Sequence, residues 1–250
     1  MYKGKKTLFY NGEILWEGDA FGRPLVYDKE ERDSWEVIIV LPGVEIIPQW
    51  TFFCCRNVET VIMADTVRRI EDRAVSICDR LQFVKLSRNL EYIGDMAFSS
   101  CDMTSIFIPP SCREICILAF SGCKRLLILG LPQNIQLGRC VFQKTALIRA
   151  SPFEIEENGY YNFFDDETVI QWIRSINDEE AYALHRACSS FNPLVEIIHD
   201  LVKQHGIKAM KMKNAIDISP SQYLEANTFS NISEKEIINR YILDMMGETV

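Results

Sequence analysis

The sequence predicts an α/β repeat protein, in which a solenoid with a parallel β-sheet is followed by a smaller α-helical segment. Two observations lead to this prediction. Between residues 35 and 149 a common phrase recurs every 22–23 residues, and each copy includes a short run of β-branched and apolar residues. After Ala150 the repeat stops, and apolar spacings typical of amphipathic helices replace it.

The repeated phrase is clearest in its apolar columns. The four aligned copies are "GVEIIPQWTFFCCRN" (43–57), "TVRRIEDRAVSICDR" (66–80), "NLEYIGDMAFSSCD" (89–102) and "SCREICILAFSGCKR" (111–125). Three columns keep the spacing of 23, 23 and 22 residues: Ile47, Ile70, Ile93 and Ile115; Phe52, Val75, Phe98 and Phe120; Cys55, Cys78, Cys101 and Cys123. The missing residue falls between Cys101 and Met103. A unit this short cannot bury its own apolar face, so we expect successive units to stack.

Each unit also carries one strand signal. The five runs are "WEVIIV" (35–40), "VETVIM" (58–63), "LQFVKL" (81–86), "MTSIFI" (103–108) and "LLILGL" (126–131). They alternate as strands do, and several are followed by proline at a turn. We therefore expect one strand per unit in a parallel sheet along one face of the solenoid.

The phrase resembles that of the BspA-like leucine-rich repeats, roughly L-x-x-I-x-I-P-x-x-V-x-x-I-G-x-x-A-F-x-x-C, which "LQFVKLSRNLEYIGDMAFSSC" (81–101) follows closely. The resemblance implies a leucine-rich-repeat solenoid of about five units over residues 35–149. The last unit is shortened and lacks the closing cysteine, as a capping repeat would. Residues 1–34 are expected to form an N-terminal cap, with two strand-like runs around Asn11-Gly12 that predict a hairpin.

The second half of the chain is predicted to be an acidic linker (150–167) and a helical module (168–250). Helix signals begin at Thr168, at Asn192 with Pro193, at Ser219 with Pro220, and at Ser233, where the last helix runs to Gly247. Three phrases resemble a degenerate ankyrin-repeat pair: "YALHRAC" (182–188), "NPLVEIIHDLVKQHG" (192–206) and "ISPSQYLEAN" (218–227). This resemblance implies that His185 has a structural role and orients a turn.

Charge and hydropathy narrow the functional classes. The net charge of −8 is uneven, because residues 1–150 carry 19 Lys+Arg and 18 Asp+Glu whereas residues 151–250 carry 8 and 17. No basic stripe is present, so we expect no nucleic-acid partner. No apolar run could span a bilayer and no signal peptide is recognisable. We therefore expect an intracellular location in the reducing cytoplasm, where the nine cysteines remain free thiols.

Catalytic chemistry is not indicated. The recurring cysteines are predicted to be buried apolar groups of the core, and a zinc site is disfavoured because Cys112-x-x-x-Cys116 has no partner pair. The best thiol–imidazole candidate is Cys188 with His185, one helical turn apart, and the ankyrin resemblance already accounts for both. No nucleotide, hydrolase or metalloprotease motif is found, so we expect no enzyme activity, metal or other cofactor.

The outward face of the sheet is the candidate binding surface. If Val84 points inward, alternation turns two columns outward: Val37, Thr60, Phe83, Ser105 and Ile128; Ile39, Ile62, Lys85, Phe107 and Gly130. Most of these side chains are apolar, which indicates that something covers them. The leading hypothesis is a non-catalytic scaffold that binds an unknown protein or peptide through these residues: Val37, Ile39, Ile62, Phe83, Lys85, Phe107 and Ile128. The alternatives are cover by the chain's own C-terminal half, a secreted or surface adhesin, and a thiol- or metal-dependent enzyme.

Overall fold

A computed structural model describes residues 5–13, 29–153, 166–177, 182–191, 193 and 195–227. Its strands are β1 (Thr7–Tyr10), β2 (Val37–Val40), β3 (Ile46–Ile47), β4 (Thr60–Met63), β5 (Arg69–Ile70), β6 (Phe83–Lys85), β7 (Tyr92–Ile93), β8 (Ser105–Phe107), β9 (Glu114–Ile115), β10 (Ile128–Gly130) and β11 (Gln136–Leu137). Its α-helices are α1 (Lys29–Arg32), α2 (Ala146–Arg149), α3 (Asp166–Ser175), α4 (Ala183–Ser189), α5 (Val195–His205) and α6 (Pro220–Asn227). A 3₁₀ helix covers Ile207–Lys211.

Each of the five repeat units contributes one strand to each of two faces of a parallel solenoid. The first face is formed by β1-β2-β4-β6 and, separately, by β8-β10. The second face is a continuous sheet of two-residue strands, β3-β5-β7-β9-β11. The predicted parallel solenoid is confirmed. The second sheet was not predicted, because two residues are too few to show an alternating pattern.

The core lies between the two faces. Its first layer comes from the inward positions of the long strands and its second from the isoleucine column, and all are buried: Ile38, Val61, Val84, Ile106, Leu129, Ile47, Ile70, Ile93 and Ile115. The aromatic column fills the turn between units, where Phe120 stacks on Phe98 at 5.4 Å and on Phe142 at 5.8 Å between ring centroids. Side chains at one repeat position therefore pack on their own equivalents in the next unit.

The one-residue deficit after Cys101 coincides with an interruption of the first face. Strands β4 and β6 pair through Thr60–Phe83 and Val61–Val84, and β8 pairs with β10 through Ser105–Ile128. No ladder joins the two described strands β6 and β8. On the second face β7 and β9 remain paired. The unit is one residue shorter just before β8, and the β7–β9 ladder accommodates the shorter unit with an offset of 22 residues between Tyr92 and Glu114.

Gly94 fills a position where two units approach closely. A side-chain Cβ there would lie 2.7 Å from the backbone nitrogen of Asp72 and 2.6 Å from its Oδ1. That carboxylate oxygen accepts a hydrogen bond from the Asp95 backbone N–H at 2.8 Å, which ties the two turns together. Glycine is needed here for space rather than for an unusual dihedral angle.

The two ends of the solenoid differ from its middle. At the start, β1 pairs in parallel with β2, placing Tyr10 opposite Val40, so this run extends the sheet. The second run of the predicted hairpin lies mostly outside the described residues.

At the C-terminal end of the solenoid, Thr145 takes the place of the closing cysteine. Its Oγ1 accepts a hydrogen bond from the Ile148 backbone N–H at 3.2 Å, as the N-cap of α2. The substitution of a hydroxyl for a thiol thus begins a helix where the repeats end.

The helical segment follows the predicted pattern with shifts at two helix starts. Helix α3 begins at Asp166 rather than Thr168, and helix α5 begins at Val195 rather than Pro193. Helix α5 ends at His205, before Gly206, and α6 begins after Ser219, whose Oγ accepts from the Gln222 N–H. Helix α4 packs against α5 and α6, and α6 packs against β8. The predicted helix from Ser233 to Gly247 lies outside the described residues.

Candidate binding surface

The register of the first face reproduces the two outward columns. Thr60 pairs with Val37 and with Phe83, and Ile62 pairs with Ile39 and with Lys85. Beyond the interruption, Ser105 pairs with Ile128 and Phe107 with Gly130. Inward and outward positions therefore alternate as the sequence predicts.

The exposure of these columns differs from the prediction. Phe83 is 41 % exposed and Ile128 is half-buried. The expectation of an open face is wrong for the other five candidate residues, which are buried: Val37, Ile39, Ile62, Lys85 and Phe107. Three different contacts account for their burial.

At the N-terminal end, a small apolar cluster covers the outward side of β2 and β4. Val37, Ile39 and Ile62 form this cluster, and Phe9 and Leu41 pack against it. Because β1 adds a strand beside β2, Phe9 comes to lie opposite Ile39 in the ladder. Strand β1, which belongs to the predicted N-terminal cap, is therefore the edge strand of the sheet in place of β2.

Lys85 lies along the face instead of extending into solvent. Its Nζ donates to the backbone carbonyl of Met63 at 3.3 Å and lies 3.7 Å from Asp65 Oδ1. Its side chain is 1 % exposed. A buried ammonium group needs such partners, because desolvation of an uncompensated charge is costly.

At the C-terminal end, the chain's own helices cover the outward column. A Cβ on Gly130 would lie 2.2 Å from the backbone oxygen of Ser189 in α4, so the helix touches the strand where no side chain intervenes. Helix α6 packs on β8, the strand that carries Phe107, and Phe107 joins the main core cluster together with Tyr223 of α6. The internal cover that the apolar face indicated is therefore present over β8 and β10.

What remains accessible is a patch in the middle of the face, on either side of the interruption, which we call the Phe83 patch. It comprises the exposed Phe83, Gln82 and Thr104 and the half-buried Ser105 and Ile128. It carries an aromatic ring among uncharged polar groups, a composition suited to binding a partner's apolar side chain and backbone. Gln82 and Thr104 were missed because they precede the strands, although their polarity within apolar runs was a signal.

The recurring cysteines form a ladder of thiol hydrogen bonds inside the core. Cys78 Sγ donates to the carbonyl of Phe52 at 3.3 Å, Cys101 to that of Val75 at 3.2 Å, and Cys123 to that of Phe98 at 3.1 Å. Each thiol therefore binds the backbone of the aromatic column in the preceding unit. This satisfies a buried carbonyl with a side chain that packs as an apolar group.

We expect thiol reactivity to follow burial. Burial raises the pKa of Cys55 and Cys101, raises the pKa of Cys112 to about 12 and raises the pKa of Cys188 to about 11. Cys54 and Cys116 are the two thiols that are not buried, and Arg56 Nε donates to Cys54 Sγ at 3.3 Å. Titration of the native protein with an aromatic disulfide should show at most two fast thiols, and Cys54→Ser should remove one. Rapid reaction of all nine would contradict the buried ladder.

His185 and Cys188 do not form an activated pair. The Nε2 atom of His185 contacts the carbonyl oxygens of Met212 at 3.0 Å and Ile218 at 3.2 Å, so this nitrogen carries the proton. Its Nδ1 is buried with no hydrogen-bond partner among the described residues, so it accepts no proton from the thiol of Cys188. Burial lowers the pKa of His185 as well, which leaves a neutral imidazole beside a neutral thiol.

The same geometry makes the helical segment sensitive to acid. Because the folded pKa of His185 lies below its unfolded value of 6.5, protonation favours the unfolded chain. Stability is full above about pH 6.5 and falls as the pH drops toward the folded pKa. The urea midpoint of the helical far-UV signal should decrease between pH 7 and pH 5. In His185→Gln this decrease should be smaller, and an unchanged decrease would assign it to other groups.

Neither a metal centre nor a membrane span is found in the described part of the chain. No three His, Cys, Asp or Glu side chains cluster there in a way that could hold an ion. Among the same residues, no helix has the length and apolarity that crossing a bilayer requires.

A comparison with protein families assigns the repeats. The family of BspA type leucine rich repeat regions matches residues 45–169 in six copies, which is half of the chain. The chain belongs to the BspA-type leucine-rich-repeat family. The match extends past residue 149, where the sequence pattern placed the end of the solenoid. The BspA-type fold is typical of proteins that bind other proteins or are displayed on surfaces.

Three solved structures of leucine-rich repeat proteins are similar to part of this chain. A leucine rich cell surface protein from Faecalibacterium prausnitzii is 25 % identical with a TM-score of 0.40. The match covers 48 % of this chain and 32 % of that protein. A leucine-rich repeat protein from Bacteroides ovatus is 22 % identical with a TM-score of 0.38, and the match covers 46 % of this chain and 42 % of that protein. A leucine-rich repeat protein from Eubacterium ventriosum is 21 % identical with a TM-score of 0.33, and the match covers 42 % of this chain and 34 % of that protein. The chain thus spans less than half the length of each of these three proteins. No curated protein matches this BspA-type chain.

Proposed function

We propose that this protein is a non-catalytic interaction scaffold that binds a partner protein or peptide through the Phe83 patch. The observation that carries the proposal is the 41 % exposure of Phe83 on a face whose other large apolar side chains are covered. Burying the part of the Phe83 side chain that is still exposed would contribute on the order of 1 kcal/mol to the binding of a partner.

The covered residues restrict the proposed site. Ile39 and Ile62 are covered by Phe9 and Leu41, and Phe107 is covered by the helical segment, so none of these three is available to anchor a partner. Phe83 is left as the central anchor, and Ile128, two repeat units further along the same face, is a second apolar contact. This arrangement, an aromatic anchor surrounded by polar groups, is common at small interfaces.

Replacing Phe83 by Asp should abolish partner capture, because the carboxylate would have to be desolvated at the centre of the interface. The measurement is affinity capture from the native cell by wild type and variant side by side, with quantitation of each captured protein. Proteins lost with Phe83→Asp by at least about tenfold are candidate partners, in keeping with a hot-spot residue.

The matched control is Ile197→Asp, which places the same charge at another exposed apolar residue. Ile197 is 50 % exposed on α5, away from the sheet. Both variants should keep the wild-type far-UV spectrum. Equal capture by wild type and Phe83→Asp, or equal loss with both variants, would reject the Phe83 patch as the site.

We also propose that the helical segment is a degenerate ankyrin-like pair. The order of the elements follows that of ankyrin helices: α4, a turn, α5 and then α6, which packs beside α4. Helices α4 and α6 begin 37 residues apart. His185 supports the proposal, since its ring fixes the loop between the 3₁₀ helix and α6 through Met212 and Ile218. A crystal structure in which α4 and α5 do not pack as an antiparallel hairpin would overturn it.

For location we propose the reducing cytoplasm. All nine cysteines are free, and Cys101 is the ladder neighbour of Cys78 and Cys123 and interacts with both, so an oxidising compartment could couple them. Counting thiols in unfolded protein purified without reductant distinguishes the cases. Nine thiols support the cytoplasm, and fewer would favour the alternative of a secreted or surface adhesin.

A further inference from the structure

A cavity of about 420 Å³ lies between the last long strand of the solenoid and the helical segment. Its size falls in the range of small-molecule sites, about 300–1,000 Å³. It is separate from the Phe83 patch, because its solenoid wall comes from the inward side of β10 and the residues that flank it. The proposed scaffold function makes no use of it.

The cavity has an apolar interior. The strand side contributes leucines, helix α2 contributes Leu147, and the remaining apolar walls come from α3 and the loop before α6; together these are Leu127, Leu129, Leu131, Pro132, Leu147, Ile173, Ile176 and Ile216. In the middle of the solenoid, the corresponding positions are covered by the next unit. Here the repeats have ended, and the helices close the space only in part.

Polar groups line the side formed by the helices. Asn177, Ser189, Ser190 and the hydroxyl-bearing Tyr223 contribute, together with Arg174 and Arg186. Among the described residues that line the cavity there are two arginines and no Asp or Glu. The described part of the lining therefore favours an anionic group over a cationic one.

Arg174 is the group best placed to bind an anion. Its Nη2 donates to the carbonyl oxygen of Ile135 at 2.8 Å, which orients the guanidinium group beside the apolar walls. A carbonyl is a neutral acceptor, and no carboxylate of the described residues pairs with Arg174. Because Arg174 is exposed whereas Ile173 and Leu147 are buried, the charge sits at the mouth and the apolar surface lies inside.

We propose that this cavity binds an amphipathic monocarboxylate, with the carboxylate on Arg174 and the hydrocarbon chain among the leucines and isoleucines. An apolar body fits the interior, and a single carboxylate matches the planar guanidinium group, which binds carboxylates through two N–H groups. A cationic amphiphile would place like charges together at the mouth.

Calorimetric titration of the full chain with decanoate tests the proposal. Decanoate should bind saturably with one site, octanoate should bind more weakly by about fourfold per methylene removed, and decylamine should bind at least about tenfold more weakly than decanoate. Decanol should also bind about tenfold more weakly, because it lacks the charge. Equal binding of decylamine or decanol, or no saturable binding of decanoate, would overturn the proposal.

Variants locate the site. Arg174→Gln should reduce decanoate affinity about tenfold to the level of decanol, and Arg174→Lys should retain part of it. Arg149→Gln, which removes an exposed arginine of α2 that does not line the cavity, should leave affinity unchanged. Ser190→Phe should block the cavity and abolish binding of both decanoate and decanol. Equal affinity in wild type and Arg174→Gln would place the carboxylate elsewhere and contradict the assignment.

Discussion

Replacing Phe120 by Ala should destabilise the solenoid by about 3–5 kcal/mol, because it removes the central ring of a buried stack and leaves a cavity between units. Phe120 is fully buried and lies nearly parallel to both Phe98 and Phe142. The loss includes the ring–ring contacts on both sides, which are worth roughly 0.5–1.5 kcal/mol each. Urea unfolding monitored by far-UV circular dichroism measures the change.

Two comparison variants make this result specific. Phe120→Leu keeps most of the apolar volume and should cost less than about 2 kcal/mol. Phe53→Ala removes a half-buried ring that contacts Trp50 at a turn, and should cost about 1–2 kcal/mol. If Phe120→Ala costs no more than Phe53→Ala, the stack does not hold the units together.

Replacing Gly94 by Ala should destabilise the protein by about 1–3 kcal/mol, the usual penalty for inserting a methyl group into a packed region. The added Cβ would meet the backbone of Asp72 at 2.7 Å and force the two turns apart. The hydrogen bond from Asp95 N–H to Asp72 would lengthen at the same time. The thermal midpoint, measured by calorimetry, should fall by several degrees.

The control is Glu71→Ala, at the equivalent position one unit earlier. Glu71 already carries a Cβ, and its ion pair with Arg69 at 2.8 Å is partly exposed, so truncation should cost about 1 kcal/mol or less. A Gly94→Ala protein as stable as Glu71→Ala would show that the turns can separate without penalty. The comparison measures the steric effect of the added methyl group rather than a backbone effect, since Gly94 is not among the glycines with positive φ.

Much of the solenoid could be predicted because repetition multiplies a weak local signal. The period, the inward column and the burial of Cys78 and Cys101 all follow from one phrase read several times. Even the interruption between β6 and β8 was marked by the residue missing after Cys101. Local signals placed the end of α5 and the start of α6, namely Gly206 and Ser219 with Pro220.

Exposure of the outward face could not be predicted, because it depends on segments far apart in the chain. Nothing in the strand "MTSIFI" shows that α6 will pack on Phe107, and nothing in "WEVIIV" shows that Phe9 will lie beside Ile39. Lys85 was expected to extend outward by alternation alone, whereas its position is set by the carbonyl of Met63. Sequence patterns give the direction of a side chain, and tertiary packing decides whether solvent reaches it.

Between the third and fourth repeat units the first face of the solenoid is interrupted, whereas the second face is continuous. The second face should therefore resist bending there more than the first. Strands β7 and β9 stay connected by backbone hydrogen bonds, whereas β6 and β8 are not laddered to each other. We therefore expect changes in the curvature of the solenoid to concentrate between β6 and β8, with the intact second face acting as the axis of bending. A change in curvature there would alter the distance between Phe83 on β6 and Ser105 on β8.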